Sequence, residues 1–302
     1  MIYWLLIAIL SYLFFSFSYF GDKLILSGSP NPKSYTFYVG ILNVVVVFLI
    51  PFIKFGFPDY TTIVWMILEA VSFVIAIYIM FLALEKFNVS MVMPAIGTFQ
   101  PIFIFILTWL FFGSQTIKIT GLLALLLLLS GGFIISIGRK FKINLSYLKL
   151  VILSSLIFSF EYIFSKIVFL NQPFLQGLIW MKIFTFLITL TLIFNKKFCK
   201  QIFSKKIILN KRNEIIFLLN QLVGGTANIL QSFAIFLVPV ASLATMNALR
   251  GIQYVFLFII TLTFSLFFPK ILKEKISKGI IIQKIIAILF IGSALALLAI
   301  SS

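Results

Sequence analysis

Residues 9–23 read ILSYLFFSFSYFGDK, and residues 152–166 read ILSSLIFSFEYIFSK. At a shift of 143 residues, Ile9, Leu10, Ser11, Leu13, Phe15, Ser16, Phe17, Tyr19 and Lys23 meet Ile152, Leu153, Ser154, Leu156, Phe158, Ser159, Phe160, Tyr162 and Lys166. A second match follows at a shift of 153, where Met93, Ala95, Gln100, Phe103, Phe105, Ile106 and Thr108 meet Met246, Ala248, Gln253, Phe256, Phe258, Ile259 and Thr261. Two matches in the same order at similar offsets read as an internal duplication, with each copy occupying half of the chain.

The composition names the solvent. The chain has 302 residues, of which 62% are hydrophobic and 10% charged, and its mean hydropathy is +1.20. A soluble domain of this length needs far more polar surface. Apolar runs of about 20 residues recur along the length, as membrane-crossing helices require. Ten are read, at 2–22, 34–53, 61–84, 89–112, 117–138, 147–169, 174–195, 214–237, 241–268 and 281–300. The runs are continuously apolar rather than alternating, which excludes a β-barrel. The expected fold is an all-α integral membrane protein with ten transmembrane helices in two five-helix repeats, 1–140 and 145–302. Five spans is an odd number, so the second copy enters the bilayer inverted relative to the first.

A net charge of +17 raises the question of nucleic acid, and the placement of the charges answers it. Basic residues gather in 139–149, 196–212 and 270–284, between apolar runs. With ten spans these segments lie on one side, joined by Lys23, Lys33 and Lys86, while Lys54, Lys118 and Lys166 lie on the other. The positive-inside rule then places the basic loops in the cytoplasm and both termini outside. The expected partners are a lipid bilayer and a small-molecule solute, with no nucleic acid, in a monomer or homodimer of a multi-pass cell membrane protein. The start, Met1-Ile2-Tyr3-Trp4, lacks the charged region of a signal peptide, so the first run reads as a retained span.

Catalysis finds little to work with. Histidine is absent and Cys199 is the sole cysteine. There is no phosphate-binding glycine loop, no metal-ligand spacing and no nucleophile–base set. No enzyme, cofactor or metal is expected.

Charges inside apolar runs are the functional candidates. Arg250 lies near the middle of the ninth run; its planar fork suits a carboxylate or phosphate, and the competing reading is a buried ion pair with Glu161 or Glu69. Lys182, beside Trp180 in the seventh run, reads as a second anion contact or as a side chain snorkelling to an interface. Glu69 and Glu161 read as a coupling group or as fixed partners of the cations. Gln221, Gly224, Gly225, Asn228, Gln231 and Ser232 recur at helical spacing in the eighth run and read as an inward polar face, extended by Asn247, Gln253 and Gln100. Asp22, Lys23 and Lys166 read as interfacial residues, and Trp4, Trp65 and Trp109 as interfacial anchors.

The repeat resembles the drug/metabolite transporter superfamily, specifically its EamA-like members, over nearly the whole chain. The resemblance rests on Phe15-Ser16 to Lys23, on Phe158-Ser159 to Lys166, and on Ser90, Pro94, Pro101 and Phe112-Gly113 in the fourth run. Ser114 stands where that family usually has Glu, and Phe267-Phe268-Pro269 departs further. The resemblance implies export of a small solute. With the repeat it leads to one expectation: a secondary transporter of small polar metabolites, such as amino acids or related anionic solutes, working by alternating access. The alternatives are a flippase for lipid-linked sugars or headgroups and a membrane subunit without transport.

Overall fold

The computed structural model describes residues 3–26, 32–87, 89–113, 119–136, 145–202, 211–267 and 278–301. The centres of the basic loops, Lys118, Ser114, Pro269 and the side chains of Lys23 and Ser90 lie outside the described residues. No strand occurs among them. The helices are α1 (Tyr3–Leu26), α2 (Pro32–Leu42), α3 (Tyr60–Lys86), α4 (Val89–Phe112), α5 (Ile119–Ser136), α6 (Leu145–Asn171), α7 (Phe174–Thr191), α8 (Lys196–Ile202), α9 (Lys211–Leu237), α10 (Leu243–Ala248), α11 (Gly251–Phe267) and α12 (Lys278–Ser301). A 3-10 turn over Asn43–Phe52 prolongs α2, and another over Leu192–Phe194 prolongs α7. Each apolar run of the sequence thus carries helix. Six helical stretches among the described residues are long and apolar enough to cross a membrane: Tyr3–Asp22, Pro32–Phe52, Tyr60–Lys86, Val92–Phe112, Leu145–Asn171 and Phe174–Phe194.

Polarity is distributed inside out. Phe48, Phe52, Leu126, Leu222 and Leu289 face outward, whereas Glu69, Gln100, Lys182, Asn247, Arg250 and Gln253 are buried. Water would penalise that apolar surface and reward exposure of those charges; lipid reverses both preferences. The chain is therefore a membrane protein.

Local chemistry explains where helices begin and bend. Asp59 precedes α3 and caps it: its carboxylate accepts from the Thr62 N–H at 3.0 Å, from the Thr62 hydroxyl at 2.6 Å, and from the Thr61 hydroxyl. The Thr61 and Thr62 hydroxyls favour the charged form and pull the Asp59 carboxyl down to about 2 from the usual 3.8. A lowered value means that the cap is complete above about pH 4 and fades as pH falls toward 2. Amide exchange at the first turn of α3 is expected to quicken over that window, and Asp59→Ala is expected to make it fast at all pH.

The ninth run, expected as one helix from 241 to 268, is broken. A 3-10 turn over Val240–Ser242 leads into α10, and a turn at Leu249-Arg250 separates α10 from α11. No proline is responsible. In a continuous helix the Arg250 N–H would bond the Met246 carbonyl. The Tyr12 hydroxyl donates to that carbonyl at 2.9 Å, and the Arg250 N–H bonds the Asn247 carbonyl at 3.0 Å instead. In α4 the repeat-related carbonyl, Met93, also accepts from a tyrosine: Tyr254 donates to it at 2.8 Å.

The broadest interfaces join α1 to α9, α3 to α6 and α5 to α12. Small residues let these helices close. A Cβ on Gly224 would stand 2.7 Å from the Ser18 hydroxyl, and one on Gly131 2.8 Å from Ile291. Gly97 is tightest, since its Cβ would lie 1.7 Å from the Tyr254 hydroxyl. Gly97→Ala is therefore expected to displace Tyr254 and lower stability by about 2–3 kcal/mol, read as a lower unfolding temperature in detergent. Tyr254→Phe in the same chain should not restore it, because the ring carbon also lies too near, at 2.9 Å.

Candidate functional site

The break between α10 and α11 turns Arg250 into the interior, where its side chain is buried. Its Nη1 donates to Gln100 Oε1 of α4 at 2.6 Å, and its Nε has no partner. The guanidinium carbon lies 6.0 Å from the centre of the Tyr12 ring. Its electrostatic neighbours are the hydroxyls of Tyr12 and Tyr19 on α1, Tyr162 on α6 and Tyr254 on α11. The competing reading, an ion pair with Glu161 or Glu69, is not realised: no carboxylate stands at ion-pairing distance from this guanidinium among the described residues. A neutral amide holds the cation and leaves part of its donor fork unused.

Around Arg250 lies a shell of unmatched polar atoms. Gln100 Nε2, both amide atoms of Gln253, both of Asn247, Gln231 Nε2, Asn228 Oδ1 and the Tyr162 hydroxyl are buried without partners. Buried polar atoms are normally satisfied, so a concentration of orphans marks a place that something else completes. The backbone beneath is firmly held. Ser16 of α1 donates to the Gln253 carbonyl at 2.9 Å, and Ser159 of α6 donates to the Gln100 carbonyl at 3.1 Å. The two serines are identities at the shift of 143 residues and the two glutamines at the shift of 153.

A second charged group adjoins the first. Lys182 of α7 is only 3% exposed, so it does not snorkel, and its ammonium lies 5.1 Å from the centre of the Phe73 ring. Glu69 of α3 is buried with Oε2 unpartnered, and its electrostatic neighbours are Lys182 and Glu161. Glu161 of α6 is half-buried, with Lys182 and Arg250 as neighbours. The structure thus gathers Arg250, Gln100, Gln253, Asn247, Gln231, Glu161, Lys182 and Glu69 into one region, with Asn228 three residues before Gln231 on α9.

Several expectations are corrected. Trp180 does not belong to this region. Its Nε1 donates to the Gly56 carbonyl at 2.9 Å and its ring stacks on Phe55, so it clamps the α2–α3 connection. Residues two positions apart on a helix point about 200° from each other, so Trp180 cannot share a face with Lys182. The inward stripe of α9 is met in part: Gln231 and Ser232 are buried as expected and Gly224 packs on Ser18, but Asn220, Ala227 and Ala234 are buried too, and Gly225 is exposed with nothing near its Cβ position. Trp65 packs on Phe111 and Phe164, and Trp109 is exposed.

Gln221 and Asp22 form a separate cluster, about 15 Å along α9 from Gln231 at helical rise. Asp22, at the end of the first span, is buried among side chains; it accepts from Asn220 Nδ2 at 2.6 Å and from the Tyr35 hydroxyl, which Gln221 approaches at 3.3 Å. Gly21 makes this possible, because any Cβ there would occupy the Asn220 amide. The cluster ties α1, α2 and α9 together. Asp22→Ala strands two donors, the Asn220 amide and the Tyr35 hydroxyl, and is expected to destabilise by about 2–3 kcal/mol, measured by denaturation in detergent, with Asn220→Ala milder.

Lys166 is a buried residue near the end of its own helix. Its ammonium donates to the carbonyls of Ile235, Phe236 and Val238 at 3.0, 3.1 and 2.7 Å. These are the last carbonyls of α9, with Pro239 beyond. The lysine caps a helix end that would otherwise keep bare acceptors.

This fold has been seen before. It superposes on a protein of known crystal structure with a TM-score of 0.63, covering 98% of this chain and 96% of that one at 14% identity. Identity that low carries the fold and nothing about activity. No family model and no curated protein matches the sequence.

The tyrosines around Arg250 were not legible as site residues. Tyr19 and Tyr162 stood among the repeat identities, and that was the available signal. Tyr12 and Tyr254 carried none, because a tyrosine in an apolar run usually reads as packing or as an interfacial ring.

Proposed function

We propose that the chain is a secondary transporter of small polar solutes bearing an anionic group, built as two inverted five-helix halves and belonging with the EamA-like drug/metabolite transporters. Arg250 carries this reading: a permanently charged fork, buried at a break in a helix, with an unused donor and a surround of unpartnered amides. Discontinuous helices at the interface of two repeats are where transporters hold their cargo. Unmatched donors predominate around the guanidinium, which suits an anion.

The packing supports two equivalent halves. Exchange α1 with α6, α3 with α9 and α5 with α12: the α1–α9 interface becomes α6–α3, and α5–α12 maps onto itself. The paired bonds Ser16 to Gln253 and Ser159 to Gln100 exchange in the same way. Each half therefore packs through the other rather than beside it, and two alternative arrangements about a central site follow from such a design. Export is the direction the family resemblance implies.

The test is flux of labelled carboxylates, amino acids, phosphate esters and matched cations through proteoliposomes. Saturable movement confined to solutes with an anionic group is the expected result. Movement of cations alone, or scrambling of lipid-linked headgroups with no soluble solute moved, would replace this reading with another.

A further inference from the structure

Glu69, Glu161, Lys182 and Arg250 lie inside the bundle, and their formal charges cancel. None is locked into a contact ion pair. Lys182 neighbours both carboxylates, and Arg250 neighbours Glu161 alone. The other ionisable groups around Glu161 are the phenols of Tyr19 on α1 and Tyr162 on its own helix; phenols are uncharged near neutral pH. Gln100 of α4, and Asn228 and Gln231 of α9, contribute no charge.

An anion seated on Arg250 upsets this balance. It takes over the positive field that Glu161 otherwise shares, and Lys182 is left to answer two carboxylates and an incoming charge. An uncompensated charge in a low-dielectric interior is costly, and gaining a proton is the ordinary way for a protein to remove it. Glu161 is the carboxylate that loses a neighbour. It is also the more accessible of the two, being half-buried where Glu69 is 2% exposed.

We propose that a net anion bound at Arg250 is accompanied by one proton, taken up on the Glu161 carboxylate, so that the loaded site is electrically neutral. The proton comes from water and adds to a carboxylate oxygen, giving the neutral acid; no other bond changes, and departure of the anion returns it. A zwitterion brings its own compensating charge and needs no proton. The inference deepens the transport reading and depends on it for its function, while the charge rule itself is testable without transport.

Two measurements separate the two ideas. The first uses proteoliposomes with L-glutamate, a net anion, and L-glutamine, its near-isosteric zwitterion. Flux of L-glutamate should follow a pH gradient, with accumulation of about tenfold per pH unit for a one-proton couple. It should ignore a potassium–valinomycin potential, while L-glutamine flux should ignore both. In Glu161→Gln, L-glutamate flux should lose the pH drive and respond to voltage. Voltage-driven L-glutamate flux in the unaltered protein, or pH drive surviving in E161Q, overturns the proposal.

The second measurement uses ligand-free protein in nanodiscs. Arg250→Gln removes the same positive charge that an anion would mask. Infrared spectra should then gain one protonated carboxylic acid, which Glu161→Gln in that background removes and Glu69→Gln does not. Absence of that band, or its loss with E69Q instead, overturns the proposal. If the band appears as stated and neither amino acid moves, the proton rule stands and the transport reading falls.

Discussion

Arg250→Ala is expected to cut flux of every accepted anion by about 100-fold, because truncating one partner of a buried charge contact costs on the order of 2–5 kcal/mol. The loss should fall mainly on apparent affinity, since in the proposed site the fork meets the cargo directly. Arg250→Lys keeps the charge but loses the planar geometry and the bond to Gln100, and should recover only part of the flux. Gln100→Leu tests placement rather than charge. Gln100 Oε1 holds Nη1 at 2.6 Å, so its removal should let the guanidinium wander and weaken transport by about tenfold, one hydrogen bond to a charged group being worth roughly 1.5–3 kcal/mol. Full flux in R250A would place the anion elsewhere and leave Arg250 a structural residue.

Lys166→Met should have the largest effect on stability. The substitution keeps the length of the stem and removes the ammonium, exposing three buried carbonyls at the end of α9. The expected cost is on the order of 3–5 kcal/mol, as for other broken buried charge contacts. Thermal unfolding in detergent would read it, and amide exchange should show the last turn of α9 and the Val240–Ser242 turn loosening first. Lys166→Arg should rescue poorly, because a planar guanidinium cannot converge on three carbonyls spread around one helix end. Near-native stability in K166M would mean that water reaches those carbonyls readily.

These two residues also show what could be read in the chain. Both are cations within apolar runs, and a charge in such a run is anomalous by composition alone. Sequence marked both, and it placed Arg250 near the centre because counting residues along a helix gives depth. It set Lys166 at an interface for the same reason, since Lys166 lies close to the end of its own helix. What it could not supply was the neighbour: the end of α9 arrives beside Lys166 from 69 residues away in the chain. Trp180 and Lys182 show the converse error, in which closeness along the chain stands for closeness in space although helical geometry turns the two apart.

The sequence by itself determined the solvent, the helical class and the positions of the apolar helices, because hydropathy and periodicity are local properties that any window of residues displays. It also singled out most of the polar residues that meet at the centre, because polar atoms in an apolar run are costly wherever the run packs. Tertiary structure alone decided that α1 lies along α9 and α3 along α6. It alone brought the Tyr12 hydroxyl to the Met246 carbonyl from 234 residues away and broke the ninth run where the Arg250 N–H bonds the Asn247 carbonyl. It alone buried Asp22 beneath Asn220 and gave Arg250 an amide partner in place of a carboxylate. Those outcomes depend on which helix face meets which, a property of pairs of distant segments that no single stretch of sequence contains.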